Sequence, residues 1–467
     1  MFRHLVSLLF LTVIFTACSG GRSNPSAPQP VPTTPPPPST TAPIEFEGLS
    51  GTFQSIGHGF VIDLNYEQDT LQLFHVTETT CVFDPAFDVS LGDLLAELDV
   101  GRTAGSNDDF TVKDPINDRQ TTFFERISNK PSSCLNGGDQ PSNDPEMNFQ
   151  TFWETFNEHY AFFAERNIDW AAQYEIFRPQ VTSTTSQLEL FQILSNLAGT
   201  LVDTHVSIDS SFGNYNSGDN AAFVAAQIRA DRPEINTIIE SYLDAGFSTE
   251  LGGNVRYGSI NNNIGYIQIS LFQGSTFTLA GEEEFLDIID VAINQFQDHI
   301  GIIFDVRNSP GGLGGDGLAT RIVNRFTDIE RQGFQEQVRD GEGFSPLITF
   351  NILPEGPMQF LKPVVVLAGT TSVSTPENFT LLLKQLPQAT FVGQATNGTL
   401  STRLHKLLPN GFSFTLTNEI QRTPMGMSFE VIGAQPDITV ENFTDADINA
   451  GIDSALQAAV DLLTDTM

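Results

Sequence analysis

A histidine and a serine far apart in the chain are the residues that best fit nucleophilic chemistry. His205 continues an inward stripe of leucines spaced three and four apart, and it follows Asp203 and Thr204. A carboxylate and a hydroxyl are therefore expected beside its imidazole. Ser374 lies between a β-branched run and a helix predicted to begin near Pro376. The N-terminus of a helix favours a developing negative charge, and an imidazole can take the proton of a hydroxyl, so the pair could carry out acyl transfer.

Both residues also have a purely structural interpretation. Ser374 and Glu377 have the spacing of a capping box, in which the serine hydroxyl engages backbone N–H groups. A buried histidine that bonds a backbone carbonyl is a common core residue. The local sequence leaves the catalytic and the structural interpretations open for His205 and for Ser374.

A glycine-rich turn could supply the hydrogen-bond donors that such a site needs to stabilise an oxyanion. Asn308-Ser309-Pro310-Gly311-Gly312 follows a predicted strand, and its backbone N–H groups could form an oxyanion hole. A plain turn between a strand and a helix is the alternative. The string from Gly312 to Gly317 also matches the dinucleotide-binding pattern, which would indicate an oxidoreductase. However, residues 307–311 separate this string from the strand, whereas the dinucleotide fingerprint turns almost at once.

The elements that must position these residues predict an α/β fold. After residue 260, β-branched runs at 264–269, 300–306 and 364–367 alternate with helical patterns near 283–297, 315–326 and 376–386. Residues 141–210 predict a helical segment, in which aromatic residues follow Asp144 and a capping box at Ser186 and Glu189 precedes the leucine stripe. Short alternating stretches within residues 44–140 predict a separate small β domain. Residues 211–467 are expected to form the α/β core.

The N-terminus predicts export and a lipid anchor. Residues 1–17 fit a signal peptide, because the apolar run 5–17 is too short to span a bilayer permanently. Phe15-Thr16-Ala17-Cys18 resembles a bacterial lipobox, with Cys18 as the lipidated residue; an ordinary secretory signal is the alternative. Residues 18–43 form a Pro-rich linker. We therefore expect a lipid-anchored protein of the bacterial cell envelope, at the outer membrane, facing the periplasm or the exterior.

The charge of the chain and its cysteines limit the kinds of partner and of metal site that fit this sequence. The chain has 57 Asp and Glu against 22 Lys and Arg, a formal charge of −35, which argues against nucleic acid as a partner. Cys81 and Cys134 are expected to form a disulfide, because export leads to an oxidising compartment. No His or Cys cluster has ligand spacing, so we expect no metal site.

Four segments, taken in chain order, resemble the C-terminal processing, or tail-specific, serine peptidase family. They are Leu201-Val202-Asp203-Thr204-His205, Asp305-Val306-Arg307-Asn308-Ser309-Pro310-Gly311-Gly312, Ser372-Val373-Ser374-Thr375-Pro376-Glu377 and Gly433-Ala434-Gln435-Pro436-Asp437. The resemblance covers about residues 145–445. It implies a ClpP/crotonase-like α/β peptidase core. It assigns the nucleophile to Ser374, with Ser372 as the weaker choice, and the oxyanion hole to N–H groups of Gly312 (or Gly311) and Thr375.

The sequence departs from the tail-specific branch at the general base. That branch uses a Lys, but the corresponding position is Thr399, and Lys406 comes too late. The tricorn-like branch instead uses a Ser/His pair supported by a second hydroxyl and a Glu. Its positions are filled by His205, Thr204 and Glu430, with Thr in place of the usual Ser. The interval after His205 is too short for a PDZ domain, so specificity for free C-termini is not implied.

The resemblance implies a serine-type endopeptidase that hydrolyses peptide bonds of extracytoplasmic polypeptides without a metal or organic cofactor. In this mechanism His205 takes the proton of Ser374, while Glu430, acting through Thr204, supports the imidazolium. The alternative is a non-catalytic protein that binds a ligand or peptide on the same scaffold, since the resemblance also includes retinoid-binding relatives without proteolytic activity. Thr204 and a capping role for Ser374 favour that alternative.

Overall fold

The computed structural model of the protein describes residues 50–92, 99–102, 109–113, 121–218, 221–276, 278–312 and 315–465. The predicted signal peptide, the lipidation site Cys18 and the Pro-rich linker lie outside the described residues. So do Leu313 and Gly314 of the glycine string.

The N-terminal part is an antiparallel sheet of seven strands in the order β4-β3-β2-β1-β7-β6-β5. Its strands are β1 (Gly51–Ser55), β2 (Phe60–Asn65), β3 (Thr70–Val76), β4 (Cys81–Val89), β5 (Asp99–Arg102), β6 (Phe110–Lys113) and β7 (Thr121–Ile127). Apolar side chains alternate along these strands, and Phe53, Phe60 and Ile62 are buried. A disulfide joins Cys81 to Cys134, whose Cα atoms are 5.1 Å apart.

Three helices cover this sheet: α1 (Pro145–His159), α2 (Trp170–Phe177) and α3 (Gln187–Gly199). The Asp144 carboxylate caps α1 by accepting the Glu146 N–H at 3.0 Å. The predicted capping box of Ser186 and Glu189 opens α3. Apolar residues of the helices, of the N-terminal sheet and of strands β19 and β20 described below form one buried cluster. The sheet is therefore fixed to the rest of the molecule through a shared core.

The central sheet has the strand order β10-β11-β12-β13-β17-β18-β22 and is parallel from β12 onwards. Its strands are β10 (Ser248–Glu250), β11 (Val255–Ile260), β12 (Ile264–Ile269), β13 (Gly301–Asp305), β17 (Val364–Ala368), β18 (Ala389–Gly393) and β22 (Ile438–Thr439). Side chains alternate between two buried clusters: Ile302 and Phe304 face one, and Ile303 faces the other. This explains the continuous apolar runs, since both faces of the sheet are covered.

Seven further helices accompany the central sheet in the described part of the chain. They are α4 (Ala221–Ala230), α5 (Pro233–Glu240), α6 (Leu279–Gln295), α7 (Gly315–Val323), α8 (Thr375–Leu383), α9 (Asp445–Ala450) and α10 (Ser454–Asp465). Residues of α6, α7 and α8 belong to one cluster, and residues of α5, α9 and α10 to the other. The predicted α/β core is confirmed, and α6, α7 and α8 lie where helices were predicted, with ends shifted by up to four residues.

Two smaller sheets complete the structure. One contains β14 (Arg331–Asp340), β15 (Gly343–Phe344), β16 (Ile348–Ile352) and β21 (Glu419–Arg422), and the other β8 (Ser207–Ser210), β9 (Gly213–Asn216), β19 (Leu404–Leu407) and β20 (Ser413–Leu416). Both β8 and β19 run antiparallel to β20, so they begin at the same end of their sheet. This brings His205 and Ser401, which shortly precede β8 and β19, side by side.

Candidate active site

Ser374 lies at the carboxyl edge of the central sheet. The parallel strands β13 and β17 are neighbours, so the segments that follow them meet. The Val373 N–H donates to the Ser309 carbonyl at 3.1 Å. A Cβ placed on Gly311 would be 3.9 Å from the Ser374 Oγ. The serine and the glycine turn therefore face each other, as the chemistry requires.

The backbone of Ser374 is not that of an ordinary helix cap. Its φ of 69° and ψ of −119° are unfavourable for a residue with a Cβ, at a cost of about 1–3 kcal/mol. At Ser186 the cap is extended and its Oγ accepts the Glu189 N–H at 3.3 Å. Ser374 and Glu377 are also arranged as a capping box, but the Glu377 N–H is directed at the Ser374 carbonyl, at 2.8 Å.

The hydroxyl of Ser374 consequently makes no well-formed hydrogen bond within the described part of the chain. Ser374 is partly exposed, whereas its neighbours Val373 and Thr375 are buried. Strain at an accessible serine on a turn from strand to helix is typical of nucleophiles. A capping role alone does not explain the strained backbone of Ser374.

Two backbone N–H groups beside Ser374 can stabilise an oxyanion. Among the described residues, none accepts a hydrogen bond from the N–H of Gly312 or of Thr375. The Thr375 Oγ1 donates to the Gly312 carbonyl at 3.3 Å, which holds the two segments together. A side chain on Gly312 would collide with the Phe272 carbonyl, since its Cβ would lie 2.2 Å from that oxygen. Gly311, with φ of 118°, needs glycine for its conformation.

A buried carboxylate, Glu377, ties the serine turn to residues 396–401, called the bridging segment below. Its Oε2 accepts the N–H of Ser374 at 2.9 Å and of Thr399 at 3.0 Å. Its Oε1 accepts the Thr396 hydroxyl at 2.7 Å and the Gly398 N–H at 2.6 Å. Burial raises the pKa of Glu377 to about 7, against the effect of these hydrogen bonds.

The imidazole of His205 is oriented by the same segment. Its Nδ1 lies 2.6 Å from the Ser401 carbonyl, so Nδ1 carries the proton and Nε2 is free to act as a base. The His205 N–H donates to the Asp203 carboxylate at 2.9 Å. Burial, with the nearby charge of Arg403, lowers the pKa of His205 to about 3, so the ring is neutral at physiological pH.

The expected link from Glu430 through Thr204 is not what the structure contains. The Thr204 hydroxyl donates to the Asn397 Oδ1 at 3.1 Å, because Asn397 lies beside it. Glu430 instead accepts the N–H groups of Leu400 at 2.7 Å and of Ser401 at 3.0 Å. It therefore holds the backbone of Ser401, the residue whose carbonyl binds the imidazole. Burial and the neighbouring Asp203 raise the pKa of Glu430 well above its usual range.

The bridging segment thus connects all four residues predicted to be catalytic. Ser374 is bound through Glu377, Thr204 through Asn397, and His205 and Glu430 through Ser401. The structure does not place the Ser374 hydroxyl and the His205 ring in a hydrogen bond with each other, within the residues it describes.

The other candidates have structural contacts. The buried Ser372 hydroxyl donates to the Val306 carbonyl at 2.7 Å and accepts the Gly369 N–H at 3.0 Å, so it supports the turn. Lys406 binds the carbonyls of His58 and Gly59 of the N-terminal sheet region, away from Ser374. In the part of the chain that is described, no group of three His, Cys, Asp or Glu side chains is placed to hold a metal ion. None of the described helices is long and apolar enough to cross a bilayer.

Sequence reasoning missed Asn397, Ser401 and Arg166. Arg166 Nη2 is 3.3 Å from Asp203 and 3.8 Å from Glu430. These three residues carry no recognisable motif, and Ser401 acts through its backbone carbonyl. The sequence around them gives no signal of these contacts.

Sequence comparisons agree on one family. Residues 263–440 match peptidase family S41, and residues 141–199 match the tricorn protease C1 domain. A carboxyl-terminal-processing protease of Synechocystis sp. is 28% identical over 43% of this chain and 44% of its own length. A carboxy-terminal-processing protease of Bartonella bacilliformis is 26% identical over 39% of this chain and 40% of its own length. The chain spans about two fifths of the length of the curated relatives it matches.

A solved structure supports the same assignment. The crystal structure of a candidate peptidase from Parabacteroides merdae matches with a TM-score of 0.60 and 27% identity, over 69% of this chain and 97% of that chain. The architecture described above is therefore the mixed α/β fold of S41 peptidases. The chain therefore contains a peptidase family S41 domain at residues 263–440 and a tricorn protease C1 domain at residues 141–199.

Proposed function

We propose that this protein is a serine-type endopeptidase acting on extracytoplasmic polypeptides, with Ser374 as nucleophile and His205 as general base. One observation carries the proposal: an accessible serine in a strained conformation faces a glycine turn, beside two N–H groups without described acceptors. Such donors bind the oxyanion of the tetrahedral intermediate more strongly than they bind the carbonyl of the substrate. This difference lowers the barrier to acyl transfer.

The chemistry proceeds in two stages. The His205 Nε2 takes the proton of the Ser374 hydroxyl as its Oγ attacks the substrate carbonyl, and the N–H groups of Gly312 and Thr375 bind the oxyanion. The imidazolium then gives the proton to the leaving amine, and water hydrolyses the acyl-enzyme by the same route. The Ser374–His205 hydrogen bond forms in the substrate complex, since such bonds are often loose in free enzymes.

Glu430 and the bridging segment support the base. The Ser401 carbonyl holds the Nδ1–H, which fixes the tautomer in which Nε2 can accept a proton. Glu430 fixes the backbone of Ser401 by accepting its N–H, and Glu419 accepts the Thr402 N–H of the peptide group whose carbonyl binds the imidazole. Together they take the orienting task that a carboxylate has in a serine triad, acting through the backbone on both sides of Ser401.

The remaining features of the proposal concern location and substrate. A lipid on Cys18 would hold the protein in the bacterial cell envelope, and the Pro-rich linker would separate the folded part from the membrane. The bonded cysteines Cys81 and Cys134 suit an oxidising compartment. The described residues between β9 and β10 form only α4 and α5, where a PDZ domain for free C-termini would be inserted. We therefore propose internal polypeptide segments as the substrates.

Covalent labelling tests the assignment. A fluorophosphonate probe should label the wild type at Ser374, and mass spectrometry should locate the adduct there. Labelling and casein cleavage should be abolished in Ser374→Ala and fall by several orders of magnitude in His205→Ala. Ser186→Ala, which alters an exposed helix cap, is the matched control and should label normally. Unchanged proteolysis by Ser374→Ala would remove the nucleophile assignment.

A non-catalytic binding function is the second candidate. The absence of a hydrogen bond between Ser374 and His205 in the described structure favours it. Folded wild-type protein that neither reacts with the probe nor cleaves casein, but retains an apolar ligand or a peptide, would support this candidate.

A further inference from the structure

A buried arginine, Arg166, lies behind the proposed general base. It is in the turn between α1 and α2, where its N–H donates to the Phe162 carbonyl at 3.1 Å. Its side chain is 8% exposed. From there the guanidinium reaches the segment that leads into His205.

The guanidinium binds both backbone and carboxylate oxygens of that segment. Nη1 donates to the Leu201 carbonyl at 3.2 Å and to the Val202 carbonyl at 2.5 Å. Nη2 is 3.3 Å from the Asp203 carboxylate and 3.8 Å from that of Glu430. A single planar cation thus contacts three consecutive residues that end two positions before His205.

The backbone that Arg166 holds is strained. Val202 has a φ of 52°, which is an outlier for a β-branched residue. Its side chain is 48% exposed, so little burial compensates the strain. The hydrogen bonds from Nη1 to both carbonyls supply a local cause for this conformation, and the turn they fix determines where Asp203 and His205 lie.

The charge of Arg166 also affects Asp203. Burial alone would raise the pKa of Asp203, but the charge of Arg166 and the hydrogen bonds from the His205 backbone N–H and the Thr417 hydroxyl lower that pKa. The ionised Asp203 accepts the His205 N–H at 2.9 Å, the Tyr160 hydroxyl at 2.9 Å and the Thr417 hydroxyl at 2.8 Å. The titratable or charged groups that act on or with Asp203 are Tyr160, Arg166, His205, Arg403 and Glu430.

We propose that Arg166 is a positioning residue for the general base, which holds the strained turn at Val202 and pairs with the Asp203 carboxylate so that His205 stays in place. The inference rests on the proposed peptidase function. Arg166 does not touch the reacting atoms, so it acts on the proton transfer through His205.

Two variants separate the effect of position from the effect of charge. Arg166→Ala removes both, and kcat for a fluorogenic peptide should fall by about a hundredfold with little change in KM. The acid limb of its pH profile should move to higher pH, because Asp203 without its cation protonates more easily. Arg166→Lys keeps the charge but not the planar contact with two carbonyls, so the limb should stay in place while kcat falls.

Arg178→Ala is the matched control. Arg178 also donates to a backbone carbonyl, that of Val181 at 2.8 Å, and to a carboxylate, that of Glu146 at 2.6 Å, but it makes no contact with the segment before His205. Its removal should leave kcat and the pH profile at the wild-type values.

The outcomes are distinguishable. An active wild type whose Arg166→Ala variant keeps its kcat or its acid limb, or changes only in KM, overturns the role of Arg166 alone. A folded wild type that is neither labelled at Ser374 nor active overturns the peptidase function and this inference together. Should Arg166→Ala fail to fold, Arg166→Lys decides: a lower kcat with unchanged KM and acid limb supports the role, and a wild-type kcat refutes it.

Discussion

Replacing Glu377 by Gln tests the connection between the serine turn and the bridging segment. The four groups bound to Glu377 are all donors, three of them backbone N–H groups. The amide of Gln can keep its oxygen toward Ser374 and Thr399, and the Thr396 hydroxyl can turn to accept from the new NH2 group. The Gly398 N–H then faces a donor and loses its partner. One buried unpaired N–H costs about 1–3 kcal/mol.

The size of this effect should depend on pH. Burial raises the folded-state pKa of Glu377 from the ordinary value of 4.5 to about 7. The folded state therefore binds a proton more tightly than the unfolded state, and the stability from this group is full below pH 4.5 and is lost as pH rises to about 7. The loss over that window is about 3 kcal/mol. Glu377→Gln cannot titrate, so its deficit of about 1–3 kcal/mol at pH 5 should shrink or disappear by pH 8.

Urea unfolding of the wild type and of Glu377→Gln at pH values from 5 to 8 measures this difference. Glu189→Gln is the matched control, since Glu189 occupies the same position in the exposed capping box of α3. Hydrogen bonds from Ser186 lower the pKa of Glu189, so any pH dependence there has the opposite sign. A deficit of Glu377→Gln that grows with pH would refute the reasoning, because it would mean that the hydrogen bonds outweigh burial and keep Glu377 ionised.

Two further predictions concern stability. Replacing Cys81 and Cys134 by Ser, which opens a loop with a sequence separation of 53 residues, should lower the free energy of unfolding by up to about 4 kcal/mol; urea unfolding measures this, and a wild-type midpoint would contradict it. Asp453→Asn removes one of two carboxylates bound to the fully buried Arg307, and thermal unfolding should reveal a loss of about 3 kcal/mol, whereas an unchanged midpoint would mean that Asp305 alone compensates the cation.

The sequence allowed the prediction of the parts of the site that belong to regular elements. The β-branched runs predicted β12, β13 and β17, and helix signals predicted α8, so the location of Ser374 and of the glycine turn could be inferred. Parallel pairing of β13 and β17 then brings the two segments together, because carboxyl ends of parallel strands meet. Local periodicity and strand direction were sufficient for this half of the site.

The other half depends on tertiary contacts of irregular backbone. The bridging segment contains no helix or strand, and its position is set by Glu377 and Glu430, which bind its N–H groups. No periodicity indicates that Asn397 would take the Thr204 hydroxyl, or that the Ser401 carbonyl would take the imidazole N–H. The Thr204 hydroxyl therefore binds Asn397 rather than Glu430, although the residues named for the expected relay all lie against the same segment.

Backbone strain provides an argument about the site that is independent of motifs. Among the described non-glycine residues with positive φ, only Val202 and Val431 are β-branched, the class for which this conformation is least favourable. Val202 lies three residues before His205, Val431 directly follows Glu430, and Ser374 itself has positive φ. Strain of this kind persists only where surrounding contacts impose it, here through Arg166 at Val202 and through the Gly398 carbonyl, which accepts the Val431 N–H at 2.7 Å. One strained position is Ser374 itself and two lie close to His205 and Glu430, so folding fixes the backbone of each proposed functional residue, and only the side chains of the base and the nucleophile have to adjust when substrate binds.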